Sequence, residues 1–381
     1  MKRRLLFAGA VSAAFISMFS GLSSVALAFP EMIRHEYGNC NTCHVNLTGG
    51  GVLTDYGRSL SVEVLSTWNG SESEQAALWG ATKGLPKEVV LGGDVRTIQT
   101  YRNTEQYTEG NFFVMQGDLE AALVTDNFVV DATAGREEIR SGQHSKGEFT
   151  SRRHFVQAMV TPGAYVRGGK FKHAFGINTP DHATATKRFL GMDHDTETYN
   201  AEAAFAGESL NVFADAVFGR PDDKDLKKTM DKGGALTGSW LFASRYKVGA
   251  SYFQGANETS SRRMGGPWLM AGIMKKAFVL FEYDIAQNWA NKSMTGNPVT
   301  GFGTNAKEGY EVCRGVHLYL TQDFAKQDVS QSKASFEAYG PGLQWFPRPH
   351  LEMNMQYQKQ RLAANQEKMA DFAFFMAHVY L

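Results

Sequence analysis

Two cysteines and a histidine stand close together near the start of the chain, as Cys40-Asn41-Thr42-Cys43-His44. In a C-x-x-C-H pattern, the two thiols add across the vinyl groups of a haem, and the histidine ligates the iron. A zinc site needs four ligands, and the chain has only 3 cysteines. A disulfide would not require His44. We therefore predict one covalent c-type haem, attached through Cys40 and Cys43, with His44 as the proximal iron ligand.

The motif leaves the distal iron ligand open. No His or Met occurs between Val45 and Lys87, so the downstream methionine typical of small soluble cytochromes is missing. Met32 and His35 precede the motif. We prefer His35 as the distal ligand, and Met32 or an open coordination position is the alternative. The strands proposed below offer three further candidates at inward-facing positions: His317, Met376 and His378.

The first 28 residues indicate export. A basic start, Lys2-Arg3-Arg4, precedes an apolar run, and Ala26-Leu27-Ala28 is a small-x-small cleavage site, so we expect a signal peptide over 1–28. Its removal takes three basic residues from a chain with 39 basic and 39 acidic ones. The slightly acidic remainder argues against nucleic acid as a partner. No segment of 29–381 has the roughly 18 uncharged apolar residues of a membrane-spanning helix.

From Glu88 onward, the sequence alternates with a period of two. Residues 350–358 place leucine, methionine and tyrosine on one face and glutamate, asparagine and glutamine on the other. Residues 277–285 repeat this pattern, with Glu282 and Asp284 opposite an apolar face. Successive side chains of a strand point to opposite faces. Apolar outward and polar inward faces are typical of a β-barrel in lipid with a wet lumen, so we predict an all-β transmembrane barrel over 88–381.

The connections between these segments alternate between short and long, as in outer-membrane barrels. Seven short turns and eight long loops predict 16 antiparallel strands, with both chain ends on the periplasmic side. The chain also ends in an aromatic-rich segment, 374–381, like the last strand of such barrels. The short turns are at 125–127, 161–163, 206–208, 243–245, 275–276, 313–315 and 347–349. The long loops are near 102–110, 141–147, 178–196, 220–232, 256–263, 289–302, 325–332 and 362–370.

Residues 29–87 form a separate segment that carries the haem motif. It is too short to be stable alone, and the covalent haem would act as its staple. We expect short helices around 55–65 and 72–79 in it. Because electron tunnelling weakens steeply with distance, one haem serves both faces of a membrane only from within the wall. We therefore expect this segment to plug the barrel lumen.

The loop at 178–196 is rich in acidic and histidine side chains. His182, His194 and neighbouring carboxylates suit a divalent transition metal such as iron, on a loop that folds inward. The same composition is ordinary for an external solvated loop. We prefer the external loop as the prediction.

Together these features resemble the fused monohaem cytochrome–porins of bacterial outer membranes, which include the iron-oxidising outer-membrane cytochromes. The resemblance covers the whole architecture, and its sharp motif is residues 40–44. It implies a 16-stranded porin in the outer membrane whose haem takes electrons from extracellular ferrous iron and passes them to a periplasmic c-type cytochrome or other carrier. Outward flow to an external acceptor is also compatible. The resemblance leaves open whether the chain is an enzyme, namely a ferrous-iron oxidase.

A different class of function is compatible with the same sequence. A porin would let small solutes diffuse across the outer membrane, and the haem-bearing plug would then act as a gate or a sensor. Both functions need a barrel surrounded by outer-membrane lipid. They differ in whether electrons or solutes pass through it.

Overall fold

The structure is a computed structural model that describes residues 29–68, 84–136, 149–181, 183–192, 197–224, 226–363 and 366–381. The predicted signal peptide, the helix predicted around 72–79 and the loop predicted at 141–147 lie outside these residues. The part of the chain that is described consists of a barrel wall and an N-terminal segment, residues 29–68.

Antiparallel strands, each paired with its neighbours in sequence, form the wall of a closed barrel. Pairing of the first strand with the last closes the sheet. β4 and β5 both pair with β3 and are two pieces of one wall strand, so the wall has 16 strands, as predicted. The strand segments are β1 (Val89–Asn103), β2 (Thr108–Val124), β3 (Phe128–Arg136), β4 (Phe149–Thr150), β5 (His154–Thr161), β6 (Ala164–Phe171), β7 (Thr198–Ala206), β8 (Leu210–Val217), β9 (Lys232–Phe242), β10 (Tyr246–Ala256), β11 (Ser261–Met274), β12 (Ala277–Trp289), β13 (Val299–Cys313), β14 (Val316–Lys326), β15 (Phe336–Arg348), β16 (Leu351–Arg361) and β17 (Ala370–Tyr380).

The alternation in the wall is inverted relative to a soluble protein. On β16, Met355 and Tyr357 are exposed on the outside, whereas Glu352 and Gln356 are buried on the inside. On β12, Asp284 is fully buried. The polar faces therefore point into the barrel, as the period-two pattern predicts, and the apolar faces point out.

All seven predicted short turns connect strands in the structure, but two of the predicted long loops are wrong. Residues 104–107 and 257–260 are four-residue connections, because the flanking strands extend further than predicted. These strand ends lie at the long-loop side and are polar on both faces. Without an apolar face, these strand ends show no alternation, so their sequence resembles that of a loop.

Helical structure in the described residues is confined to short pieces, and none of them is long and apolar enough to cross a membrane. Helix α1 (Asp55–Leu60) continues as one π-helical turn (Ser61–Leu65), which confirms the helix expected around 55–65. The remaining pieces are 3-10 turns at Pro30–His35 and Cys40–Thr42 and the short helices α2 (Ala185–Arg188) and α3 (Leu226–Thr229).

The N-terminal segment lies inside the barrel. Ile33 packs against Leu241, Trp268 and other inward side chains of β9–β12. On another side of the segment, Val52 packs against Phe155 and residues of β2, β3 and β6. Contacts with opposite parts of the wall are possible only from within the lumen, so the segment fills part of it.

Candidate functional site

The Cys40–His44 motif is folded into a compact turn. Within the 3-10 turn Cys40–Thr42, the backbone N–H groups of Cys43 and His44 both donate to the carbonyl of Cys40, at 3.2 and 3.1 Å. After the turn, Val45 N–H donates to Val52 O, and Thr54 N–H donates to Cys43 O at 2.8 Å. The motif is thereby clamped into a small hairpin that ends where α1 begins.

The imidazole of His44 is oriented by this hairpin. Its Nδ1 lies 3.1 Å from the backbone carbonyl oxygen of Gly51. A hydrogen bond from Nδ1–H to that oxygen fixes the tautomer and leaves Nε2 as the nitrogen for a metal. Burial lowers the pKa of His44 to about 4, so the ring is neutral at ordinary pH, as a metal ligand must be.

Glycines allow the chain to approach the two cysteines closely. Gly49, Gly50 and Gly51 all have positive φ, and a Cβ on Gly49 would lie 3.2 Å from Cys40 Sγ. On the other side, a Cβ on Gly57 would lie 2.6 Å from the carbonyl oxygen of Cys43. The positive φ angles and the close approach to Cys40 explain the run of three glycines, 49–51, that follows the motif.

Side chains of the wall hold the motif in place. Asn39, directly before Cys40, accepts hydrogen bonds on Oδ1 from Asn211 Nδ2 (2.8 Å) and Lys247 Nζ (3.0 Å). Its Nδ2 donates to the backbone carbonyl of Glu208, in the β7–β8 turn, at 2.8 Å. The motif is therefore fixed to β8, to β10 and to a short turn of the barrel.

A second anchor lies just after the motif. Arg167 on β6 donates to Asn46 Oδ1 at 2.5 Å and to Glu202 Oε2 at 2.9 Å. The Arg167–Glu202 ion pair is fully buried. Because a buried guanidinium is stable only when it is paired, this network fixes the hairpin against β6 and β7.

Cys40, Cys43 and His44 line one cavity of about 290 Å³ between the N-terminal segment and the wall. Its lining includes apolar side chains, where Cys43 packs with Met32, Leu60 and Tyr380. Charged side chains also line it. The cations are Arg96, Arg152, Arg153, Lys172 and Lys247, and the acids are Asp94 and Glu197.

This donor set fits a haem. Two thiols and a neutral imidazole line the same cavity. Their order along the chain, Cys-x-x-Cys-His, is the one that two thioether bonds and one axial iron ligand require. Apolar side chains suit the macrocycle, and guanidinium groups suit its propionates. Among the described residues, no group of three or more His, Cys, Asp and Glu could hold a separate metal ion.

His35, our preferred distal ligand, does not line this cavity. Its Nε2 lies 3.4 Å from Glu311 Oε2. Arg34 and His317 lie beside the same carboxylate, with 2.7 Å between Arg34 Nη2 and His317 Nε2. The structure thus places His35 in a polar cluster near the β13–β14 turn, apart from Cys40, Cys43 and His44.

The inward orientation predicted for three barrel residues is confirmed. His317, Met376 and His378 are all buried, and His317 and His378 lie near the short-turn end. His378 has a carboxylate on each ring nitrogen, Glu352 at 3.0 Å and Asp94 at 2.8 Å. Of the three, only His378 lines the cavity.

The loop after β6 folds into the lumen, so our preferred prediction of an external solvated loop is wrong. Phe175, Ile177 and Met192 are buried. Ile177 N–H donates to Glu282 Oε2 at 2.8 Å, and Ala185 N–H donates to Asp323 Oδ1 at 2.7 Å. The inward carboxylates of the wall thus bind the loop backbone. His182 and the residues 193–196, which carried the predicted metal site, lie outside the described residues.

Sequence reasoning missed His173 as a site residue. It follows the end of β6, is buried and lines the same cavity as the motif. The signal was present in the apolar run 174–177, which an external loop would not need.

The closed wall of 16 strands, with a polar lumen and an inward-folded loop, is a porin-like barrel of the outer-membrane type. Solved structures of outer-membrane proteins have a similar fold. OmpT of Vibrio cholerae, expressed in the outer membrane, matches with a TM-score of 0.60 at 11% identity, over 78% of this chain and 99% of that chain. The anion-selective porin from Comamonas acidovorans matches with a TM-score of 0.59 at 9% identity, over 77% and 99%.

OmpF of Salmonella typhi, solved in complex with daunomycin, matches with a TM-score of 0.57 at 9% identity, over 77% of this chain and 97% of that chain. No family model matches the chain, and no curated protein matches it. Identities this low establish the fold alone. The function has to be argued from the site.

Proposed function

We propose that this protein transfers electrons across the bacterial outer membrane through one haem, covalently bound inside a porin-like barrel. The observation that carries the proposal is the placement of Cys40, Cys43 and His44 together on one cavity within the lumen. A soluble cytochrome has no need of a membrane wall around its haem. A simple diffusion pore has no need of this motif.

The haem would supply one-electron chemistry, and the residues of the chain would set its position and surroundings. Cys40 and Cys43 would hold the macrocycle, and His44 would present Nε2 to the iron. Cations of the cavity lining, Arg96 among them, would neutralise the propionates. The wall and the inward loop would restrict access of water, which affects the reduction potential.

The barrel position determines the kinds of partner. The wall exposes a belt of apolar side chains that outer-membrane lipid would cover, among them Val166, Leu236, Trp240, Phe281 and Leu318. Asn39 bonds to the β7–β8 turn, at the short-turn end of the barrel. That end would face the periplasm, and a c-type cytochrome or another carrier would dock there. From the other face, an extracellular redox partner such as iron would approach through the lumen.

Covalent haem attachment is tested first, on the protein purified from an outer membrane. The denatured mature chain should carry the added mass of one haem and give the visible spectrum of a c-type haem in alkaline pyridine. The variant C40S/C43S should fold as a barrel but lose both signals. A wild-type chain without haem would refute the proposal.

A second candidate function is solute diffusion, with the N-terminal segment as gate or sensor, and the porin-like fold favours it. Swelling of liposomes that contain the protein measures solute entry directly. Rapid swelling with sugars, in a protein that does not pass electrons, would establish the pore function. Slow swelling is expected if residues 29–68 and the inward loop block the lumen.

A further inference from the structure

We propose that His173 is the distal iron ligand, so that the haem is held between two histidines, His44 and His173. This inference rests on the proposed function, because it assumes that the haem is bound at Cys40 and Cys43. It replaces His35 with a residue of the inward loop. It would therefore link the redox centre to the inward loop between β6 and β7.

The environment of His173 is unusual for a buried histidine. Its side chain is only 4% exposed. Within the described parts of the chain, neither ring nitrogen has a hydrogen-bond partner. A buried polar group left without a partner destabilises the fold. Coordination of iron by one ring nitrogen would give that nitrogen a partner and so remove part of this destabilisation.

The position of His173 matches this role. It lines the same cavity as Cys40, Cys43 and His44. Its ring stacks on Phe253 of β10, with centroids 5.3 Å apart and planes at 16°. Stacking restricts rotation of the ring and holds it beside the cavity.

The backbone around His173 is fixed to the wall. Thr237 Oγ1 donates to the carbonyl of Ala174 at 2.8 Å. Gly176 N–H donates to Ser251 Oγ at 2.9 Å, one residue before the bond from Ile177 to Glu282. Three bonds within four residues make this a rigid part of the loop, as an axial ligand requires.

The loop also touches the haem motif directly. Asn178 Nδ2 donates to the carbonyl of Thr48 at 2.7 Å, in the glycine-rich turn after His44. Ala174 packs against the apolar cluster that contains Leu47 of the same turn. His173 thus approaches the site on a loop that is joined to the N-terminal segment.

The other candidates are less suitable. His35 lies against Glu311 outside the cavity. His378 lines the cavity, but both of its nitrogens already face carboxylates. Met32 also lines the cavity and packs in one cluster with Cys43. The experiment therefore has to distinguish ligation by Met32 from ligation by His173.

The experiment uses the full-length holoprotein in detergent and reads the haem spectrum. Ferric wild type should be six-coordinate and low-spin, with the electron paramagnetic resonance of bis-imidazole ligation and without the long-wavelength charge-transfer band of methionine ligation. H173A should become high-spin and bind carbon monoxide readily when reduced. Added imidazole should restore its low-spin spectrum, which would not happen if His173 were only structural.

Matched variants complete the test. H173M should regain a low-spin spectrum with a higher midpoint potential. H35A and M32L should keep the wild-type spectrum. A methionine band in wild type, a low-spin H173A without imidazole, or a high-spin M32L would overturn the proposal. If H173A binds too little haem, H173M decides: a methionine charge-transfer band supports the proposal, and an unchanged bis-imidazole spectrum overturns it. Wild type without any haem would instead refute the proposed function itself.

Discussion

Lys247 on β10 donates to Oδ1 of Asn39, the residue directly before Cys40, with 3.0 Å between Nζ and Oδ1. The same ammonium group donates to the carbonyl of Gly38 at 2.8 Å. Lys247, Asn39 and Gly38 are all buried inside the barrel. One side chain of the wall therefore fixes the position of the N-terminal segment at the start of the haem motif.

Replacement of Lys247 by methionine should loosen this attachment. K247M keeps most of the side-chain volume but leaves two buried acceptors with fewer partners, at about 1–3 kcal/mol for a group left unsatisfied. We expect faster proteolysis of residues 29–68 and a lower thermal midpoint for the haem spectrum. The control is K276M, at an exposed turn position. Equal protease resistance in K247M and K276M would contradict the anchoring role.

Gly57 should be intolerant of a side chain, since a Cβ there would lie 2.6 Å from the carbonyl oxygen of Cys43. In G57A, helix α1 and the motif would have to move apart, at a cost of about 1–3 kcal/mol. We expect a smaller haem content per chain, measured from the pyridine spectrum and the protein concentration. G168A is the control, because no atom lies within 4 Å of a Cβ built on Gly168. Full haem content in G57A would show that the close approach is not needed.

Glu282 should hold the inward loop against the wall. Its Oε2 accepts the N–H of Ile177 at 2.8 Å, and Gly176 lies so close to the carboxylate that a Cβ would clash with it. E282A removes this acceptor, and we expect faster entry of sugars in liposome swelling as the loop loosens. E258A, at an exposed loop position, is the control. An unchanged swelling rate in E282A would mean that other bonds, such as that from Gly176 to Ser251, hold the loop alone.

The wall was predictable from the sequence because lipid and lumen impose opposite demands on alternate side chains. Residues such as Tyr357 and Gln358 had to face opposite sides, and the structure places them so. The prediction failed where a strand leaves the lipid. At 102–110 and 256–263, most residues are polar whichever face they lie on, so the alternation that marks a strand is lost.

The contents of the lumen were less predictable. The haem chemistry predicted for Cys40–His44 follows from local spacing. The distal ligand proposed here belongs to a segment about 130 residues away in sequence, which contacts the N-terminal segment through the bond from Asn178 to Thr48. His35 was preferred because it is near in sequence. Its contact with Glu311 on β13 depends on how the N-terminal segment sits in the barrel, and no local pattern specifies that.

Electron transfer through the bound haem, as proposed, can be measured across a membrane. The direct measurement uses liposomes that contain the purified protein, an enclosed redox dye too large to escape and an external reductant that does not cross lipid. Liposomes with C40S/C43S and liposomes without protein are the controls.

We expect wild type to reduce the enclosed dye at a rate well above both controls, with haem reduction preceding dye reduction. No dye reduction by haem-loaded wild type, or an equal rate with C40S/C43S, would contradict it.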